Sequence, residues 1–157
     1  MQTFIDDIRT KSLVAWPLVI LRVATGIMFI IAGWGKVMRG AGFADAMQGF
    51  LARQDNMFDF YRGFVENVVL PNKVMFGYLV AYGEVLAGIA LVAGLFTRWA
   101  AVALLFMTVN FWFAKGAGFW VPSNHDSLYI LIALVLIFAR SGEILGIDGL
   151  LARRRRG

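Results

Sequence analysis

Four ionisable residues lie in or at the edge of long apolar runs: Arg22, Lys36, Glu84 and Asp126. A charge in hydrocarbon is costly, so such residues turn toward a bundle interior or toward one another, and they mark proton, ion or ligand chemistry. Glu84 is the sharpest case, because a carboxylate near the middle of a bilayer must be paired or protonated. Asn110, His125 and Tyr129 add hydrogen-bonding groups, and Trp34 adds a ring face at the end of the first run. Together they could bind a polar ring headgroup and pass protons. No metal-ligand motif or nucleophile-base arrangement accompanies them. The segment Gly33-Trp34-Gly35-Lys36 lacks the upstream spacing of a phosphate loop.

The elements that must hold these residues are apolar helices. The first reads from Trp16 to Val37, with Pro17 in its first turn, where a missing N–H is tolerated. The second runs over 73–96 after Pro71, the third over 99–114, and the fourth over 124–140. The fourth has a short apolar core, Leu128 to Ala139, lengthened by a capping-box-like start at Ser123 and Asp126. Between the first two, residues 43–69 mix aromatic and charged positions at roughly helical spacing, which predicts an amphipathic interfacial segment. The expected fold is all-α: an integral membrane four-helix bundle in one transmembrane domain, with a basic tail over 146–157.

Spacing then groups the polar residues. Arg22, Gly26, Phe29, Gly33 and Lys36 alternate by four and three and share one stripe of helix one. Gly77, Ala81, Glu84, Gly88 and Leu91 do the same on helix two, a small-residue seam that permits close backbone approach. The corresponding face of helix three carries Trp99, Ala103, Phe106, Asn110 and Phe113, and that of helix four carries Asp126, Tyr129, Ala133, Leu136 and Arg140. With a rise of ~1.5 Å per residue, Glu84, Asn110 and Tyr129 fall near a common depth of ~17 Å from one surface, and Arg22 near ~9 Å. Helical side chains lean toward their own N-terminus, which parts Arg22 from Glu84 but brings Lys36 down toward Glu84, His125 or Asp126. The expected site is an outward-biased pocket of Lys36, Glu84, Asn110, His125, Asp126 and Tyr129. Simpler roles compete: Lys36 has the length to snorkel, Asp126 to cap a helix, Asn110 to bridge two helices, and Trp34 to sit in an interfacial belt.

Composition agrees with a membrane chain. Of 157 residues, 60% are hydrophobic and 16% charged, more apolar than a soluble domain. The net charge of +5 does not point to nucleic acid, because the basic residues sit in tails and loops beside apolar runs. Cysteine is absent and histidine occurs once, which removes thiolate chemistry, iron–sulfur clusters and an internal bis-histidine haem. The first fifteen residues carry charge without a cleavage site after the first apolar run, so that run is expected to remain as an anchor. Four crossings put Arg9, Lys11, Arg98, Arg140 and Arg153 to Arg156 on one side. Lys36, Arg39, Arg53, Arg62, Lys73 and Lys115 fall on the other, an excess of eight to six that favours both termini in the cytoplasm.

Several pieces of the chain resemble the DoxX/DoxD family of small bacterial inner-membrane proteins. They are Leu21-Arg22 with Gly26, Ala32-Gly33-Trp34-Gly35-Lys36, Tyr82 to Gly88, Gly94-Leu95-Phe96-Thr97-Arg98, and Gly146-Ile147-Asp148. The resemblance implies four transmembrane helices and a link to membrane redox, since namesake members resemble a subunit of thiosulfate:quinone oxidoreductase and others associate with oxidative-stress complexes. It assigns no catalytic residue here; Arg22, Lys36 and Glu84 are carried over only as positions in the matching motifs.

The functional expectation is a quinone-associated membrane subunit in which Glu84 and Lys36 handle protons, and a redox partner subunit or a diffusible quinone supplies the electrons. A non-enzymatic anchor or assembly subunit is the alternative, and a small-molecule or proton transporter a further one. The small-residue seams also permit a homo-oligomer.

Overall fold

A computed structural model describes the backbone of residues 2–139 and 141–154, with side chains described over 16–139, 141–152 and 154. Arg140, Arg155, Arg156 and the side chains of Arg9, Lys11 and Arg153, which entered the charge comparison, lie outside the described residues. The described secondary structure is helical throughout.

Helix α1 (Gln2–Arg39) extends well beyond the expected start at Trp16, so Pro17 lies inside it and not in its first turn. Its apolar part, Trp16–Arg39, is long enough to cross a bilayer. Gly40, at a φ of 52°, breaks the helix and turns the chain into α2 (Ala41–Leu51). Next comes α3 (Asp59–Phe64), which continues into a single π-helical turn at Val65–Val69 before Pro71. The segment expected over 43–69 is therefore two helices and a π turn, held by aromatic contacts among Phe58, Phe60, Tyr61, Phe64 and Phe113.

Helix α4 (Lys73–Ala93) ends at Gly94, whose φ of 66° supplies the left-handed cap that stops a helix. The expected end at Phe96 gives way to this cap. Helix α5 (Thr97–Lys115) follows at once and closes on a second left-handed glycine, Gly116. Both α4 and α5 are long and apolar enough to cross. Helix α6 (His125–Phe138) is apolar but has 14 residues. At ~1.5 Å per residue it spans ~21 Å, less than the ~30 Å hydrocarbon core. Two short helices, α7 (Ser141–Ile144) and α8 (Ile147–Arg154), complete the described residues.

Phe29 of α1, Leu91 of α4, Ala100, Ala101 and Leu104 of α5, and Ala133 and Leu136 of α6 form the buried core. Small residues let these helices approach closely, which is how packing replaces the hydrophobic effect inside lipid. This corrects the expected face of α5. Trp99 and Phe106 are 72% and 67% exposed, while Ala100, Ala101, Leu104 and Thr108 are buried. Bulky rings are well solvated by acyl chains, so the side with alanines turns inward. The outer surface carries many large apolar side chains, among them Ile20, Ile31, Leu79, Leu86 and Phe138, as expected where the solvent is hydrocarbon.

Candidate functional site

The α1–α4 seam positions the site. A Cβ on Gly26 would sit 2.7 Å from the Gly88 carbonyl oxygen, and a Cβ on Gly88 would sit 2.6 Å from that of Gly26. Gly33 is equally close to Ala81, Val85 and Glu84. The two helices run antiparallel with their backbones in contact, so the stripe of α1 faces the seam of α4. Lys36 stands one turn beyond Gly33 and leans back toward the α1 N-terminus, as helical side chains do. Its ammonium thereby meets both carboxylate oxygens of Glu84. The Glu84 side chain is 3% exposed and that of Lys36 24%.

Two rings complete the surroundings. The Lys36 ammonium lies 5.7 Å from the ring centroid of Phe43 on α2 and 5.7 Å from that of Phe111 on α5. Residues of four helices, α1, α2, α4 and α5, thus form and flank a carboxylate–ammonium pair: its acidic partner is sealed and its basic partner keeps an opening. Phe43 and Phe111 were not among the expected site residues. Phe43 comes close because α2 folds back on the start of α4, where its neighbour Ala44 packs on Gly77.

The other expected residues are distributed elsewhere. Asn110 accepts a 2.7 Å hydrogen bond from the Tyr61 hydroxyl and donates one to the Phe106 carbonyl, fastening α3 to α5. Burial pushes the Tyr61 phenol above its ordinary range, which keeps it the donor. Asp126 is buried beside Lys115, with Nζ 2.7 Å from Oδ2 in a charge contact that lacks hydrogen-bond alignment. The capping box does not form: α6 starts at His125 without a side-chain cap, because Lys115 engages the Asp126 carboxylate instead. His125 is exposed, and Trp34 is 55% exposed on the outer face of α1. Tyr129 packs edge-on to Phe29 at 5.3 Å, with its hydroxyl 3.4 Å from Met28 Sδ. Of the expected pocket, Lys36 and Glu84 are brought together across two helices as an ion pair.

Arg22 belongs to a second polar centre at the opposite end of the seam. It is fully buried and donates from Nη1 to the Ser141 carbonyl at 2.8 Å and from Nη2 to the Leu145 carbonyl at 2.6 Å. Asp148 stands nearby and accepts from the backbone N–H groups of Phe96 at 2.8 Å and Thr97 at 2.9 Å. Its own N–H donates to the Gly94 carbonyl at 2.9 Å. A carboxylate at a helix start satisfies free donors and opposes the positive end of the dipole. It also holds Phe96 at its positive φ of 48°. Asp148 was seen only as part of a motif; its partners lie some fifty residues away, beyond any local spacing rule.

Three apolar helices long enough to cross among the described residues, outward-facing large apolar side chains and charges gathered inside the seam define a multi-pass helical membrane protein. The DoxX family model matches residues 17–117, covering α1 from Pro17 through α5, and the chain belongs to the DoxX family. No curated protein and no solved structure matches it.

Proposed function

We propose that this DoxX protein is a quinone-associated subunit of a redox system in a bacterial inner membrane. Lys36 and Glu84 form its headgroup and proton-handling site. Its topology is four crossings, with α6 lengthened by its flanks, the α2–α3 segment in the outer interface, and both termini cytoplasmic. The observation that carries the reading is the enclosed Lys36–Glu84 pair under two aromatic rings.

The donor set fits a quinone. An ammonium has three N–H groups, and the two Glu84 oxygens engage two of them. The third, on a side chain that stays 24% exposed, can donate to a ring carbonyl that approaches from the lipid. Phe43 and Phe111 offer ring faces for stacking. When bound, a quinone would supply the two-electron couple that a chain without cysteine does not carry. Glu84 holds the ammonium in place, and the pair can exchange a proton between Nζ and the carboxylate without exposing a net charge to hydrocarbon.

Titration of the protein, in nanodiscs free of endogenous quinone, with ubiquinone-1 tests this reading. The expected result is saturable binding that weakens at least tenfold in Lys36→Met. Absence of binding, or equal affinity in the variant, overturns it.

A second reading, a non-enzymatic anchor or assembly subunit, is supported by a different observation. The interior charges find partners within the chain: Arg22 on carbonyls, Glu84 on Lys36, Asp126 on Lys115. In that case Glu84→Gln lowers stability or complex yield and leaves quinone affinity where it was.

A further inference from the structure

Helix α1 outruns α6 at the Lys36 end of the bundle. The two helices meet where Tyr129 packs edge-on to Phe29, with ring centroids 5.3 Å apart, and where its hydroxyl donates to Met28 Sδ at 3.4 Å. From Tyr129 toward that end, α6 has four more residues before its start at His125, or ~6 Å. From Phe29 in the same direction, α1 runs on for ten residues to Arg39, or ~15 Å.

Burial along one stripe of α1 follows this mismatch. Thr25, Phe29, Ala32 and Lys36 are spaced by four, three and four residues and so share a face. Thr25 and Phe29 are 3% and 6% exposed, whereas Ala32 is exposed and the Lys36 side chain is partly so. A Cβ on neighbouring Gly35 would meet nothing within 4 Å among the described residues. The Lys36 ammonium is flanked by Glu84 of α4, Phe43 of α2 and Phe111 of α5. The face is therefore closed up to Tyr129 and open beyond it, and small side chains line the step to Lys36.

We propose that this open flank of α1 is where a quinone ring enters from the lipid, and that the occupant is a para-quinone held at both carbonyls. The Lys36 ammonium takes one carbonyl and the Tyr129 hydroxyl the other. A thioether is a weak acceptor, so the phenol hydrogen on Met28 is readily redirected to a carbonyl oxygen. Spacing selects the para arrangement. Met28 and Lys36 are eight residues apart on α1, an axial separation of ~12 Å, and helical side chains at both positions lean the same way. A ring with carbonyls at opposite ends and a hydrogen bond of ~2.8 Å at each spans a similar length, whereas adjacent carbonyls on one ring edge meet a single donor group. The inference rests on the quinone reading and adds to it the route of entry and the class of ring.

The test is infrared difference spectroscopy and stopped-flow binding in nanodiscs, with ubiquinone-1 carrying carbon-13 at one or the other ring carbonyl. The wild type is expected to lower the frequency of both carbonyl bands. Tyr129→Phe returns one band to its free position and weakens binding about fivefold, as for the loss of one neutral hydrogen bond. Lys36→Met returns the other band. Ala32→Leu, at an exposed position, slows association several-fold, while Ala24→Leu, exposed elsewhere on α1, leaves the rate unchanged. Absence of ubiquinone-1 binding to the wild type overturns the quinone reading itself. Binding that depends on Lys36, with one carbonyl band shifted or with bands and rate unmoved by Tyr129→Phe and Ala32→Leu, overturns this inference and leaves that reading in place.

Discussion

Removing either half of the Lys36–Glu84 pair should destabilise the fold by unequal amounts, and the inequality follows from burial. Breaking a buried ion pair by deleting one partner costs about 3–5 kcal/mol, because the survivor is left charged and unsolvated. In Lys36→Met the survivor is Glu84, 3% exposed and closed in by Gly33 and Val85, so the penalty approaches the lower part of that range, about 3 kcal/mol. In Glu84→Gln the survivor is Lys36, 24% exposed, whose long stem can carry the ammonium toward the outer headgroups. The glutamine still accepts one hydrogen bond, so the loss is nearer 1–2 kcal/mol. The double variant removes both charges and should recover at least half of the Lys36→Met loss. A double-mutant cycle in detergent micelles, with unfolding followed by steric trapping or by denaturant, measures all three. Additive losses, or a larger loss for Glu84→Gln than for Lys36→Met, would refute the inward, asymmetric placement of the pair.

Four other outcomes follow from local packing and hydrogen bonding. Asp148→Ala should cost about 2 kcal/mol, the upper end of helix-cap losses, because two donors and Arg22 lose one carboxylate together; thermal melting in micelles checks it. Gly26→Ala should lower the unfolding midpoint by an amount equivalent to ~1–3 kcal/mol, since its Cβ would meet the Gly88 backbone. Gly35→Ala, with open space around it, should leave the midpoint unchanged. Tyr61→Phe removes the bond to Asn110 and should cost about 1 kcal/mol, with faster hydrogen exchange over 59–69 as the local readout.

Much of the fold was legible because membrane helices announce themselves by apolar length, and α1, α4 and α5 have it. The α1–α4 seam was legible for a further reason: charged and small residues recur at the helical period on both helices, and that stripe cannot face lipid. The direction of lean disfavoured Arg22 as the partner of Glu84 but left Glu84, His125 and Asp126 all open to Lys36; only the three-dimensional packing of the seam puts Lys36 on Glu84. By contrast, α5 is apolar all round, so one asparagine was a poor guide to its inner face. Its alanines at 100 and 101, with Leu104 and Thr108, were the better signal, since close packing in lipid favours small side chains. The start of α6 misled for an electrostatic reason, as the carboxylate that looked like a cap is engaged by Lys115. Asp148 and the two rings over Lys36 were illegible because their contacts depend on tertiary folding of α2 and of the C-terminal helices.

The most direct test of the account is photolabelling in nanodiscs with a short-chain azidoquinone, followed by peptide mapping. The account predicts label on the segments that carry Lys36, Phe43 and Phe111, competed by unlabelled ubiquinone-1 and lost in Lys36→Met. Label confined to the lipid-facing side of α5 around Trp99 and Phe106, or label around Lys36 that persists in Lys36→Met, would contradict it.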